Sequence, residues 1–414
     1  MAVAAFVFMQ ICLSYDTGMH LLKWSKQFVV YSSLLLITTV FLVRTIRHRT
    51  VFAVRNVVFV CAVVAIALLT RLLNADSSVS SFILVSSVIS AFLITSMFTF
   101  HEYMEGYQRA MVLLSLYGML AVFVLQPLVM NGTITMFPII QHEWGGVQMP
   151  YIDMGLAFSI GWFGLQRAFG VFREPGVFQF FLLVSLAFEL FWSNREPNKI
   201  FVAVFVCAIL STFSTAGLAA LCILLLGYFT KRHHGAAQIR ALALGSLGLI
   251  VAGAIVLQVP SLSHAFGLAV SKLLQGTGNN SGMVRYYSIL YLLEASFRDP
   301  LFGGGIDSTF LYIFKYLSNF AVNDLTGTTV VLIAAFGWPV GIWCNINYYR
   351  FCSYGNRRTG MLLGIIVWLA LLVSVNAQNL IYNNIFWVFM LSPYMKSTTN
   401  VESQKKVDVW GSGE

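Results

Sequence analysis

The chain has 414 residues, of which 58% are hydrophobic types and 10% are charged, against about 25% charged in an average soluble domain. So few charges cannot cover a water-soluble globule of this size, which excludes a soluble enzyme, a disordered chain and a nucleic-acid-binding domain. The net charge of +9 is therefore read through its placement rather than its sum.

Uncharged runs such as Val79–Met97 match the roughly 20 apolar residues of a bilayer-crossing helix. The runs do not alternate as barrel strands do. The predicted fold class is an all-α polytopic membrane protein. About twelve spans are expected, at 2–13, 27–43, 57–73, 79–98, 110–130, 176–192, 200–212, 216–230, 241–257, 328–346, 360–375 and 384–395. The run 200–230 is too long for one span and divides at the polar turn Ser211-Thr212-Phe213-Ser214-Thr215.

With that division the loops alternate sides. Sixteen of the 25 basic residues then fall on one face, in the stretches 44–55, 109, 195–199, 231–240, 350–358 and 396–406. The positive-inside rule makes that face cytoplasmic, and both chain ends lie there. Residues 1–395 read as a single integral membrane domain and 396–414 as a polar cytoplasmic tail. The six cysteines show no CxxC or Cys/His spacing and read as small apolar packers. No metal-ligand pattern is present, since His233-His234 has no third ligand near in sequence.

Two outer segments, about 131–175 and 258–327, are longer than ordinary connections. Their aromatic and aliphatic content argues that both fold against the membrane and form the working face, the larger one with short amphipathic helices. The first ends in Arg167–Gly176, RAFGVFREPG, where Pro175-Gly176 marks a helix start. Arg167, Arg173 and Glu174 then stand at the outer membrane boundary. They form either a snorkelling, paired rim or a clamp for an anionic headgroup, since guanidinium holds phosphate oxygens bidentately.

The second segment contains GTGNNSGMVRYYSILYLLEASFRDPLFGGG at 276–305. Tyr286, Ile289/Leu290, Leu293 and Phe297 recur at helical spacing, so an amphipathic helix lying in the interface plane is expected, with Arg285 in its first turn. Asp299-Pro300 ends it, and Gly303-Gly304-Gly305 makes a tight loop that weakly suggests phosphate cradling. Glu294, Asp299, Asp307 and Asp324 are acids of the same face, and any could be a general base. Glu189 is an acid within a span, either functional or close to the inner boundary.

These stretches together resemble a known family. REPGVFQFFLLVS (173–185), STFSTAGLAALCILL (211–225), NNSGMVRYYSILYLLEASFRDPLFGGG (279–305) and AAFGWPVGI (334–342) resemble, in order, motifs of the O-antigen polymerase and ligase superfamily of bacterial membrane proteins. The resemblance implies a GT-C-like, metal-independent glycosyltransferase of the bacterial inner membrane without cofactor, its active site facing the periplasm. Its substrate would be oligosaccharide repeats on undecaprenyl pyrophosphate, with the lipid bilayer, a chain-length regulator and a flippase as further partners. By motif position Arg173 (or Arg167) and Arg285 would hold the pyrophosphate. Asp307 or Glu294 is the candidate base. Glu174, Arg298, Tyr286 and Tyr287 complete the candidate binding set, and Trp144, Tyr151 and Trp162 are further aromatic surfaces for sugars. Ligases of the superfamily carry a histidine before the span after the large loop. The stretch NDLTGTTVV (323–331) has none, which favours a polymerase over a ligase. A flippase for the same lipid-linked sugars is the third reading.

Overall fold

The computed structural model describes residues 2–19, 24–47, 52–74, 78–144, 147–160, 166–193, 195–231, 237, 240, 243–245, 281–317, 326–354 and 361–395. The chain is mostly helical. In order come α1 (Ala2–Cys12), α2 (Lys26–Arg47), α3 (Val54–Leu73), α4 (Ser80–Met97) and α5, which starts at Phe100 and runs through a π turn to Met130. A small sheet follows, β1 (Ile139–Trp144), β2 (Val147–Asp153) and β3 (Phe158–Ile160). Next are α6 (Pro175–Ala187, closing in a π turn at Phe188–Trp192), α7 (Lys199–Ser211), α8 (Thr215–Thr230), α9 (Ser281–Arg298) and α10 (Ile306–Leu317). The chain ends in α11 (Thr328–Cys352), α12 (Met361–Asn376) and α13 (Asn384–Leu391).

Eleven of the twelve expected spans coincide with a helix; the other, 241–257, falls almost wholly outside the described residues. Six helices among the described residues are long and apolar enough to cross a membrane: α2 to α6 and α11. Four more, α1, α7, α8 and α12, are apolar but shorter. Large aliphatic side chains such as Leu35, Ile46, Leu72 and Leu113 face outward on these helices. That is a lipid-facing surface, and the protein is a helical membrane protein.

Two expectations are corrected. Helix α5 begins at Phe100, not near residue 110, so Arg109 lies on the exposed face of a helix rather than in a loop. Thr99 and Glu102 form a reciprocal capping box that fixes this early start, and Glu102 pairs with Arg44 at 3.2 Å. The outer segment 131–175, in a chain expected to be all-α, carries an antiparallel sheet ordered β1-β2-β3. It covers the outer end of α5, where Ile152, Met154 and Ala157 pack on Ala121 and Val129 and Gln126 Nε2 donates to the Ile160 carbonyl at 2.9 Å.

Helix α6 organises the bundle. It is apolar on every side, the pattern of a helix with no solvent or lipid face, and its whole length is buried. Phe172, Phe178 and Phe181 stack near its start, and Phe180 and Phe181 reach Phe389 of α13. At its far end Glu189 is fully buried. It accepts from Gln108 and from the Asn198 amide and lies 3.6 Å from Arg195. The acid is thus a junction between the ends of α5, α6 and α7, at the end of α6 opposite Glu174.

Candidate functional site

The outer end of the bundle, which bears residues 131–175, is built around the segment before α6. Pro175 occupies the first turn of the helix, where its missing N–H costs nothing. Glu174 stands in the capping position with extended backbone (φ −156°, ψ 158°), yet its side chain makes no capping hydrogen bond. The carboxylate turns instead to guanidiniums, with Arg173 at 3.6 Å. Gly176 has the Gln378 carboxamide directly against its α-carbon, where any side chain would overlap it.

Arg173 is anchored a second time. Its Nε lies 3.2 Å from Asp16 Oδ1, and its amide donates to the Asp16 carbonyl at 2.9 Å. Asp16 is fully buried, and its other oxygen accepts from Asn383 Nδ2 at 2.9 Å. Asn383 also caps α13 through the Ile385 amide. One carboxylate therefore ties the segment after α1 to the starts of α6 and α13.

Arg167 Nε donates to the Thr212 carbonyl at 2.8 Å, in the polar turn between α7 and α8. The neighbouring Ala168 amide donates to the Ser211 carbonyl at 2.9 Å. Arg285, the fifth residue of α9, lies near enough from the second outer segment for its charge to act on Arg167. Burial lowers the Arg167 guanidinium below its usual value, the Glu174 carboxylate raises it, and the charge of Arg285 lowers it. Burial likewise lowers Arg285, and Glu174 raises it. Arg173 lies 3.6 Å from Glu174, and Arg167 and Arg285 lie within reach of its charge. Helices α6, α8, α11 and α13 also begin at this end, and their first-turn amides add positive partial charge. A half-buried site with three guanidiniums and helix starts favours a multiply charged anion.

The remaining predicted residues divide into two other groups. Glu294 accepts from Tyr312 at 2.6 Å and lies 3.5 Å from Arg298, whose guanidinium sits 4.0 Å from the Tyr312 ring centre. Nine residues of helix put Glu294 about 14 Å along α9 from Arg285. Asp307, in the first turn of α10, accepts from Ser78 beside the end of α3. Tyr286 is exposed and meets Tyr287 edge-on, and Tyr287 stacks on Tyr291. Tyr151 is buried against Phe169 and is not a sugar surface. Trp162, Asp324, the polar turn 276–280 and the pair His233-His234 lie outside the described residues, as does the side chain of Trp144.

The glycines of 303–305 do not cradle a phosphate, because their amides are already used. Gly303 donates to the Asp299 carbonyl, Gly304 to Ala334 at 3.0 Å and Gly305 to Ala335 at 3.2 Å. Helix α11 breaks at Gly337 (φ 76°) and contains Pro339. The break frees the Ala334 and Ala335 carbonyls, since Pro339 has no N–H and the Trp338 amide goes to the Pro300 carbonyl at 2.7 Å. The loop supplies the missing donors and locks the end of α9 to the kink. Trp338 Nε1 adds a bond to the Ser296 carbonyl at 3.0 Å. On α9, Ser288, Leu292 and Ser296 face the protein. The apolar stripe Tyr286, Leu290, Leu293 and Phe297 faces out, with Phe297 66% exposed.

Residues 376–383 were overlooked in the sequence. Thr328 bonds the Gln378 and Val375 carbonyls, and Thr329 bonds Asn376 Oδ1 at 2.8 Å. With Asn383 they form the polar floor beside Arg173. Asn376, Gln378, Asn379, Asn383 and Asn384, five amides within an apolar region, were the available signal. Compared with known proteins, the chain matches no family model and no curated sequence.

Proposed function

We propose that the chain is a polysaccharide polymerase of twelve-span, GT-C-like architecture that joins oligosaccharide repeats carried on undecaprenyl pyrophosphate. In this reading the outer end faces the periplasm of a bacterial inner membrane. The observation that carries it is the gathering of Arg167 and Arg173 at the start of the buried α6, with Arg285 of the second outer segment near enough for its charge to act on Arg167. A polyprenyl diphosphate keeps its tail in lipid and its charge at the rim, which matches guanidiniums at the end of an apolar bundle. The motif stretches that resemble the O-antigen polymerase and ligase superfamily support the same reading.

The reaction is an inverting transfer. A hydroxyl of one carrier-linked repeat attacks the anomeric carbon of the growing chain, and the carrier diphosphate leaves. Arg167 and Arg285 stabilise the charge that develops on the leaving group, the preorganised electrostatic role. Arg173, held by Asp16, positions Glu174 and the start of α6. The exposed stripe of α9 rests on the bilayer interface, which keeps Arg285 at headgroup depth.

The test uses Arg167→Ala and Arg285→Ala in membrane-inserted protein supplied with lipid-linked repeats. Each should cut chain growth by about 10²–10³ in protein that still inserts and folds. Polymer made at normal levels by either variant would refute the clamp. Transport of intact lipid-linked repeats across a vesicle, without chain growth, would identify a flippase instead.

A further inference from the structure

Of the four helices α6, α8, α11 and α13 that begin beside the arginines, three have their starts occupied. The Thr328 amide of α11 donates to the Gln378 carbonyl and the Thr329 amide to Asn376 Oδ1. Asn383 caps α13 through the Ile385 and Phe386 amides. The capping residue of α6 is an acid, Glu174. The start of α8 has none of these. Ser214 stands in its capping position with extended backbone (φ −93°, ψ 122°), yet the hydroxyl makes no capping bond. The Thr215, Ala216 and Gly217 amides have no partner among the described residues. The residue before Ser214 is held in a costly form, since Phe213 is the only non-glycine among the described residues with positive φ (45°).

Two side chains converge on that open start. Arg167 Nε donates to the Thr212 carbonyl at 2.8 Å, which sets the guanidinium at the turn leading into α8. Gln179 reaches it from α6, one turn past Pro175. Its side chain is wholly buried, and its carboxamide oxygen lies directly against Gly217 in the first turn of α8, where any side chain would overlap it. Neither the oxygen nor the nitrogen of that carboxamide has a hydrogen-bond partner. A buried polar group without a partner costs stability, so one aimed at an uncapped helix start points to a ligand that completes it. With Oε1 on the Gly217 backbone, Nε2 is left as the donor.

We propose that the start of α8 is the seat of one phosphate group of the diphosphate, bound by Gln179 Nε2, the Ser214 hydroxyl and the first-turn amides of α8, with the Arg167 guanidinium beside it. This deepens the reading of the site given above and rests on it. Every one of these groups donates, and the helix start adds positive partial charge, so the seat selects an anion that only accepts hydrogen bonds. Arg173, in contrast, already faces Asp16 and Glu174. Glycine at position 217 is what lets the carboxamide come this close to α8. The same donors suit a diphosphate in solution and one carried as a lipid headgroup.

A residue kept for a ligand and a residue kept for the fold respond oppositely to an apolar replacement of similar size. The experiment compares wild type, Gln179→Met and Gly217→Ala as full chains in lipid nanodiscs, with inorganic diphosphate and farnesyl diphosphate as binding probes and thermal unfolding without ligand as the control. Gln179→Met should weaken binding at least about tenfold, the range for one hydrogen bond to a charged group, with an unfolding temperature no lower than that of wild type, because no bond inside the protein is lost. Gly217→Ala leaves Gln179 in the chain but pushes its carboxamide off α8, and should weaken binding to a similar degree; this variant carries the test if Gln179→Met does not fold. Farnesyl diphosphate bound more tightly than inorganic diphosphate supports a seat for a lipid headgroup, and equal affinities support a seat for the free anion. Wild-type binding in both variants would overturn the seat while leaving the arginine clamp standing. A lower unfolding temperature with unchanged binding in Gln179→Met would make Gln179 a packing residue and overturn it as well. A wild-type protein that binds neither probe would overturn both readings.

Discussion

Asp16 and Arg173 form a buried ion pair 3.2 Å apart, closed at its back by Asn383 and at its front by Glu174. The pair joins three chain segments, the one after α1 and the starts of α6 and α13. Removing one member of a buried pair strands the other charge and costs about 3–5 kcal/mol. Asp16→Ala and Arg173→Ala should therefore each lower the thermal unfolding temperature in detergent. The double variant should lose less than the sum of the two, the signature of direct coupling. Additive losses would show that the two charges do not depend on each other.

Arg167 and Arg285 both have lowered values, burial being the first cause for each. Two charges held together in a half-buried site weaken the folded state, and an anion between them offsets that cost. Inorganic diphosphate at about 100 times its dissociation constant should stabilise the protein by about 2.7 kcal/mol. Arg285→Ala should abolish the gain. Thermal shift with and without diphosphate reads the gain.

Gly303 (φ 75°) and Gly337 (φ 76°) face each other's backbone across the loop and kink. A side chain on Gly303 would overlap the Ala335 carbonyl, and one on Gly337 the Leu301 carbonyl. Both positions also demand a left-handed backbone that only glycine adopts without strain. Gly303→Ala and Gly337→Ala should each cost about 1–3 kcal/mol and increase proteolysis near residues 299–305. Wild-type stability in both would mean that the loop does not seat on the kink.

Glu189 is predicted to be structural. Its carboxylate satisfies Gln108, the Asn198 amide and Arg195 at the end of α6 opposite Glu174. Glu189→Ala should destabilise by about 1–3 kcal/mol, the cost of leaving buried polar partners without a mate. Activity per folded molecule should not change. A loss of activity with unchanged stability would instead place Glu189 in the chemistry.

Much of the helical order was legible because hydropathy needs no partner to be read. Runs such as Val79–Met97 and 216–230 fall on helices α4 and α8. The split at 211–215 appears as the turn that receives Arg167 and Ala168. The sheet escaped because the strands of 139–153 are short and mixed in polarity. Gly145-Gly146 between them is nonetheless a hairpin signal. Arg167 and Arg173 could not be told apart by position alone. The contact that distinguishes their surroundings is Asp16, more than a hundred residues away, and no local spacing encodes it. The amide floor at 376–383 was invisible to a search for charges, since its polarity is neutral.

The exchange of amides between the triglycine loop and the break in α11 divides that helix into two mechanical parts. Straightening it would return the Trp338 amide to the Ala334 carbonyl but strip the Ala335 and Pro300 carbonyls and the Gly304 and Gly305 amides of their partners at once. Both sides of the break are thus fastened to the end of α9, the near side through Ala334 and Ala335 and the far side through Trp338. When the surrounding bilayer thins or thickens, a tilt of α11 on either side of the kink pulls on α9.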